Sequence, residues 1–154
     1  MLSAHVINLV LFSIPEAIVA IMITLILLGT KMDWKKVVIS GIFVGTTAYF
    51  VRSTIGITFI NIILYTIYIT TALSFFKISG IYERFICSSI FSGIYIMIEL
   101  LTLTVIISFI GIPEPTIASN IKIKFLCFLP QLFIAIGIGS LLRFFRISIF
   151  KFST

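Results

Sequence analysis

Three features of this sequence predict an all-α integral membrane bundle of about five spanning helices. Apolar residues make up 60% of the chain and charged residues only 10%. Mean hydropathy is +1.30. The apolar runs recur at the length that crosses a bilayer as a helix, about 20 residues. A soluble fold of 154 residues with so few charges could not cover this much apolar surface. Within hydrocarbon every backbone amide must be paired, which leaves helices or a closed barrel. Barrel strands alternate apolar and polar over about ten residues. The run VINLVLFSIPEAIVAIMITLILL is near-continuous instead, so helices are the reading.

The spans follow from where charges and turn residues interrupt the apolar runs. The first covers Val6 to Leu28 and stops at Gly29, with Lys31, Asp33, Lys35 and Lys36 beyond. The second covers Trp34 to Val51 and stops at Arg52. The third, Ile55 to Phe76, is closed by Lys77 and Gly80. The fourth, Tyr82 to Phe109, meets Gly111, Pro113 and Pro115. The fifth, Phe125 to Leu142, runs into a basic tail with Arg143, Arg146 and Lys151, read as a stop-transfer flank. Residues 1–154 thus read as one transmembrane domain without a soluble part. No Lys or Arg precedes the first run and no A-x-A site follows it before Lys31, so it is not expected to be a cleaved signal.

Five spans place the first and third loops and the C-terminus on one side. That side holds eight of the eleven bases, and Arg52, Lys122 and Lys124 lie on the other. The positive-inside rule then predicts the N-terminus outside and the C-terminus inside. Trp34 and Tyr82 fall at the expected inner interface. The net charge of +6 is explained by this topology, and no nucleic acid is expected as a partner. Cys87 and Cys127 have no metal spacing and are placed near opposite faces, too far apart to join.

Polar residues inside the spans carry what functional signal there is. His5, Asn8 and Glu16 fall within an arc of about 80° at 100° per residue. So do Thr58, Asn61, Tyr65 and Tyr68 on the third span, and Ser88, Ser92, Tyr95, Glu99 and Thr102 on the fourth. Lipid cannot satisfy these stripes, so they are expected to face each other. An ionised carboxylate in the bilayer costs roughly 2.5–3.5 kcal/mol. Glu16 and Glu99 are therefore expected to be protonated, paired or functional, with Arg52 as the base that can reach them. The functional reading is a ligand- or proton-responsive polar core of Glu16, Glu99, Arg52, Asn61, Tyr65 and Tyr95. The plainer one has each Glu neutral and bonded to a neighbouring Ser, Tyr or Asn. An Arg52→Ala change is expected to weaken a ligand response more than folding.

Pro15 removes an amide donor and frees the Leu11 carbonyl, and Pro130 does the same beside Gln131. Both are read as hinges. Gly41 and Gly45 form a G-x-x-x-G pair for close helix packing, within the bundle or in a homodimer. No hydrolase, zinc-protease, phosphate-loop or dinucleotide pattern occurs. No catalytic residue, metal or cofactor is expected.

The Pro-Glu step in SIPEAI, the Lys-rich TKMDWKK loop, the span ending YFVR, the IPEPTIASN loop and the FLPQLFIAIGIG span together resemble a known group. This is the multi-span sensor region of bacterial histidine kinases of the GHKL and peptide-sensing (AgrC-like) type. The resemblance covers about the first 145 residues. It implies a non-enzymatic sensor in the cytoplasmic membrane, with N-out and C-in topology. The phospho-accepting His and ATP-binding domain of such kinases are not found before Thr154. The resemblance therefore implies a module acting through a membrane partner or a homodimer. The ligand would be small or peptidic, with 111–120 as a lid. Two other functions fit the composition. One is a substrate-binding subunit of an energy-coupling importer, although six spans and an A-x-x-x-A motif would be expected there. The other is a small proton-coupled carrier or channel.

Overall fold

In a computed structural model, which describes residues 2–78, 80–111, 116–117 and 120–150, each helix ends where a local device takes over its free backbone groups. The first span is composite. Helix α1 (Leu2–Asn8) passes into a π-helical turn (Leu9–Ser13) and then into α2 (Ile14–Leu27). Gly29, at φ 66°, lets the chain leave α2. Helix α3 (Trp34–Thr54) starts under the Asp33 carboxylate, which accepts from the Lys35 amide at 3.1 Å. Helix α4 (Thr58–Ala72) continues as a 3-10 turn (Leu73–Phe76) and is stopped by Lys77 at φ 58°. Helix α5 (Ile81–Ile110) ends on Gly111 in the left-handed region, whose amide bonds the Ile107 carbonyl at 3.1 Å. Helix α6 (Ile121–Phe144) is capped by the Asn120 side chain, which accepts from the Lys122 and Ile123 amides.

Among the described residues, five helical stretches are long and apolar enough to cross a membrane: His5–Leu27, Trp34–Thr54, Thr58–Phe76, Ile81–Phe109 and Ile121–Phe144. Among the described residues there is no strand. The expected all-α membrane-spanning bundle of five helices is therefore the architecture found. The last span begins at Ile121, four residues before the sequence suggested, because Asn120 supplies a cap beyond the Lys122 and Lys124 charges.

The first span is the hub. Its most apolar window is 56% buried, against 28–33% for the other four. Ala17, Ala20, Ile21, Ile23, Leu25 and Leu28 on it are fully or almost fully enclosed. Large apolar side chains such as Phe43, Phe59, Phe109 and Phe133 point outward. A solvent-facing surface of that kind would aggregate, whereas hydrocarbon accommodates it. Since lipid tails are as apolar as these side chains, close packing and interhelical hydrogen bonds hold the bundle together.

The closest approach is between α2 and α3. A Cβ at Gly41 would meet the Ile18 Cα at 2.9 Å, and one at Gly45 would meet the Ser13 carbonyl oxygen at 2.7 Å and the Ile14 Cα at 2.9 Å. The glycine pair faces the interior of the same chain. Between α4 and α5 the Thr66 and Ser92 hydroxyls share a hydrogen bond of 2.8 Å. A Thr66→Val, Ser92→Ala double-mutant cycle is expected to give a coupling of about 0.6 kcal/mol, read from detergent-titration unfolding. Zero coupling would make that contact incidental.

The C-terminal segment, read as a stop-transfer flank, also packs against the bundle. After Phe144 the chain reverses through Arg146 at φ 52° and returns to α2. There the Ile149 amide donates to the Leu27 carbonyl at 2.8 Å, and Gly29 lies against Ser148 and Phe150. The segment thereby satisfies an open carbonyl at the end of α2. Lys151 lies outside the described residues. Cys87 and Cys127 are buried free thiols.

Candidate functional site

The site grows from Glu16, one residue after Pro15. A proline at this point cannot supply an amide to the preceding turn and its ring needs room. The chain meets this by widening the turn ahead of it. The Ile14 amide bonds the Leu9 carbonyl, five residues back. Such π turns cause local bending and recur at functional sites. The π turn also changes the angular step, so His5 and Asn8 do not hold the register with Glu16 that a uniform helix gives.

Glu16 is buried, at 5% exposure, and faces α3. Arg52, in the last turn of α3, reaches it with both terminal nitrogens. Nη2 to Oε1 is 2.9 Å and Nη1 to Oε2 is 3.2 Å. This is the fork-to-fork geometry that makes Arg–carboxylate pairs both strong and directional. The guanidinium also lies 5.3 Å from the centre of the Tyr65 ring, within cation–π range. Arg52 keeps 43% side-chain exposure, so the pair is open on one side.

Tyr65 and Asn61 sit one turn apart on α4. The Tyr65 hydroxyl is enclosed beside the Glu16 carboxylate and the Arg52 guanidinium, with no well-formed hydrogen bond. The Asn61 Nδ2 donates to the Ile55 carbonyl at 2.8 Å and so braces the α3–α4 connection. Its Oδ1 is buried and unpaired. A buried polar atom without a partner costs about 1–3 kcal/mol, so such atoms call for an explanation. Tyr95 is buried on α5, stacked on Phe91 at 5.7 Å, and feels Glu16, Glu99 and Arg52.

Glu99 stands in range of the other polar-core residues without being bonded to them. Its side chain is exposed. Glu16, Arg52 and Lys124 are within electrostatic range, but no hydrogen bond or ion pair to it is formed among the described residues.

Lys124 is a member the sequence reading missed. Its ammonium donates to the Asn8 Oδ1 at 3.3 Å and lies 4.9 Å from the Phe12 ring centre. Phe12 is held edge-on by Phe125 and Phe128. The signal available was the Lys122–Lys124 pair before the fifth apolar run, which looked like a flank. His5, exposed, pairs its Nδ1 with the Tyr49 hydroxyl at 2.6 Å.

Pro130 stands inside α6 and lines an apolar groove of about 280 Å³ with Leu101, Thr102, Val105, Ile106 and Ile134. Of the proposed 111–120 lid, residues 112–115, 118 and 119 lie outside the described residues. Ile117 is buried with Ile106 and Cys127. Among the described residues no group of three His, Cys, Asp or Glu side chains could hold a metal ion.

The arrangement can bind and respond: it has a fixed carboxylate, a partly open guanidinium, an enclosed Tyr65 hydroxyl and an unmet Asn61 oxygen. No family model, no curated protein and no solved structure matches this chain. By its helices the chain is a multi-pass, all-α membrane protein.

Proposed function

We propose that this protein is a non-enzymatic sensor or regulatory module of the cytoplasmic membrane, of the kind that forms the input region of peptide-sensing histidine kinases. A small or peptidic ligand binds from the outer side at the Glu16–Arg52 cluster, and the change passes to the transmembrane helices of a partner. The supporting observation is the buried Glu16–Arg52 fork with the enclosed Tyr65 hydroxyl beside it. A buried ion pair seldom stabilises more than apolar residues of the same size, and its best-attested use is to specify a state. A pair joining the first two spans, one residue past a proline and next to a π turn, suits an element with two arrangements. A ligand acts on such an element only through unequal affinity for the two.

The test has two steps. The tagged protein is first isolated from native membranes in mild detergent and its companions are identified. The activity of a recovered kinase or other signalling protein is then followed during ligand addition, with Glu16→Gln/Arg52→Gln protein alongside. A ligand response that the double variant lacks supports the reading. An ATPase pair as companion would make the protein a transport subunit, and proton or ion flux in vesicles would make it a carrier. Either result sinks the sensor reading.

A further inference from the structure

We propose that the C-terminal return segment, residues 143–150, is a docking surface for anionic phospholipid headgroups, with Arg143 and Arg146 as the contact bases. The proposal is independent of the sensor reading, because this segment lies at the opposite end of α3 from Arg52.

Depth, side-chain pattern and charge carry it. Helix α6 has 24 residues. That is a length of about 36 Å, against a hydrocarbon core of about 30 Å. Its last turn therefore reaches the headgroup layer. The chain does not run straight on into water from there. It reverses at Arg146, and the Ile149 amide bonds the Leu27 carbonyl at the end of α2. The backbone is thus fixed at the depth where headgroups meet hydrocarbon. Phe144, Phe145, Ile147 and Ile149 are 45–79% exposed. Arg143 and Arg146, also exposed, are interleaved with them. Bases among aromatic and aliphatic side chains make an interfacial anchor: the apolar groups enter the acyl boundary and the guanidinium groups stay at the phosphates.

Charge selects the lipid. The first and third connections and the return segment share this end of the bundle. Lys36 stands 3.9 Å from Asp33, and Arg84 is bonded to the Gly80 carbonyl and the Ser74 hydroxyl. Lys31, Lys35, Lys77, Arg143 and Arg146 form no ion pair among the described residues. An excess of unpaired bases at headgroup depth favours anionic over zwitterionic lipid. Position favours lipid over a soluble partner, since the segment is bonded at the membrane boundary, where lipid already stands.

The test places a tryptophan in the segment. Trp34 is the only tryptophan of the chain, so a Trp34→Phe/Phe145→Trp protein reports from position 145 alone. Phe145 is exposed, and the exchange leaves the core untouched. The full-length protein is placed in vesicles of phosphatidylcholine and phosphatidylglycerol, with bromine on one lipid or the other as quencher. At equal mole fraction, phosphatidylglycerol is expected to be preferred about fivefold, the effect of one base at an anionic surface. Arg143→Gln/Arg146→Gln should remove most of that preference, and Arg143→Lys/Arg146→Lys should keep it. High salt should weaken it without any arginine change. Equal quenching by the two labelled lipids overturns the inference. So does a preference that survives the double Gln variant or that salt leaves unchanged. Absence of quenching by either lipid overturns it too, since water or a protein then covers the segment.

Discussion

Gly45→Leu is expected to yield no folded bundle. The first side-chain carbon would lie 2.7 Å from the Ser13 carbonyl oxygen and 2.9 Å from the Ile14 Cα. Both are backbone atoms, so no rotamer change relieves the clash. Inserting methylenes into a well-packed region typically costs about 1–3 kcal/mol, and a backbone collision lies above that range. The affected contact joins α3 to the hub helix at the π turn and Pro15. Separation there also removes Arg52 from Glu16. Gly93→Ala on α5 is the control, because nothing lies within 4 Å of a Cβ there. In a helix interior that change is expected to be stabilising by up to about 1 kcal/mol. The check is the yield of monodisperse protein in mild detergent and the midpoint of detergent-titration unfolding. A Gly45→Leu protein as stable as the parent would mean that α2 and α3 do not pack through this glycine.

Arg52→Ala should cost about 2–4 kcal/mol of bundle stability. The source is the Glu16 carboxylate, whose side chain keeps only 7% exposure and would stand in the bundle without a partner. The low end of the range reflects the 43% exposure of Arg52, because part of the attraction is screened. Glu16→Gln/Arg52→Gln removes both charges and is expected to recover most of the loss, since amides of similar shape need no counter-charge. The sequence led to the expectation that Arg52→Ala weakens response more than folding, and this measurement is its test. The bidentate contact makes Arg52 structural as well, which is why the double variant is the proper probe of response. Should Arg52→Ala unfold at the parent's midpoint while the double variant is weakened, the pair is not a stability element.

Much of the fold was legible in the sequence, because hydrocarbon imposes one dominant rule. Backbone groups must be paired inside each segment, so apolar length alone announces five helices. Most turns were legible for the same local reason: Gly29, Asp33 and Gly111 each solve a helix-end problem within a few residues, whereas the Asn120 cap lay hidden in the loop before the last span. Arg52 could be named in advance as the base that reaches a carboxylate within the spans, with Glu16 and Glu99 both open as its partner.

The rest depended on angles that accumulate along a helix and on packing between helices. The π turn at Leu9–Ser13 shifts the angular register between Asn8 and Glu16, which a constant 100° step does not see. Glu99 shared a sequence stripe with Tyr95, and both stand in range of Glu16 and Arg52, yet Tyr95 is enclosed and Glu99 is exposed. A stripe tells which residues share a helix face, and only the neighbouring helices fix how far each is covered. The return of the C-terminal segment to Leu27, and the turn of Lys124 toward Asn8, join residues more than one hundred positions apart. Sequence by itself determined that the chain crosses a membrane as helices and where it turns, because those are local demands of backbone hydrogen bonding. Tertiary structure alone decided which polar groups meet, which stay unmet and which face the lipid, because these depend on the rotation of each helix against its neighbours.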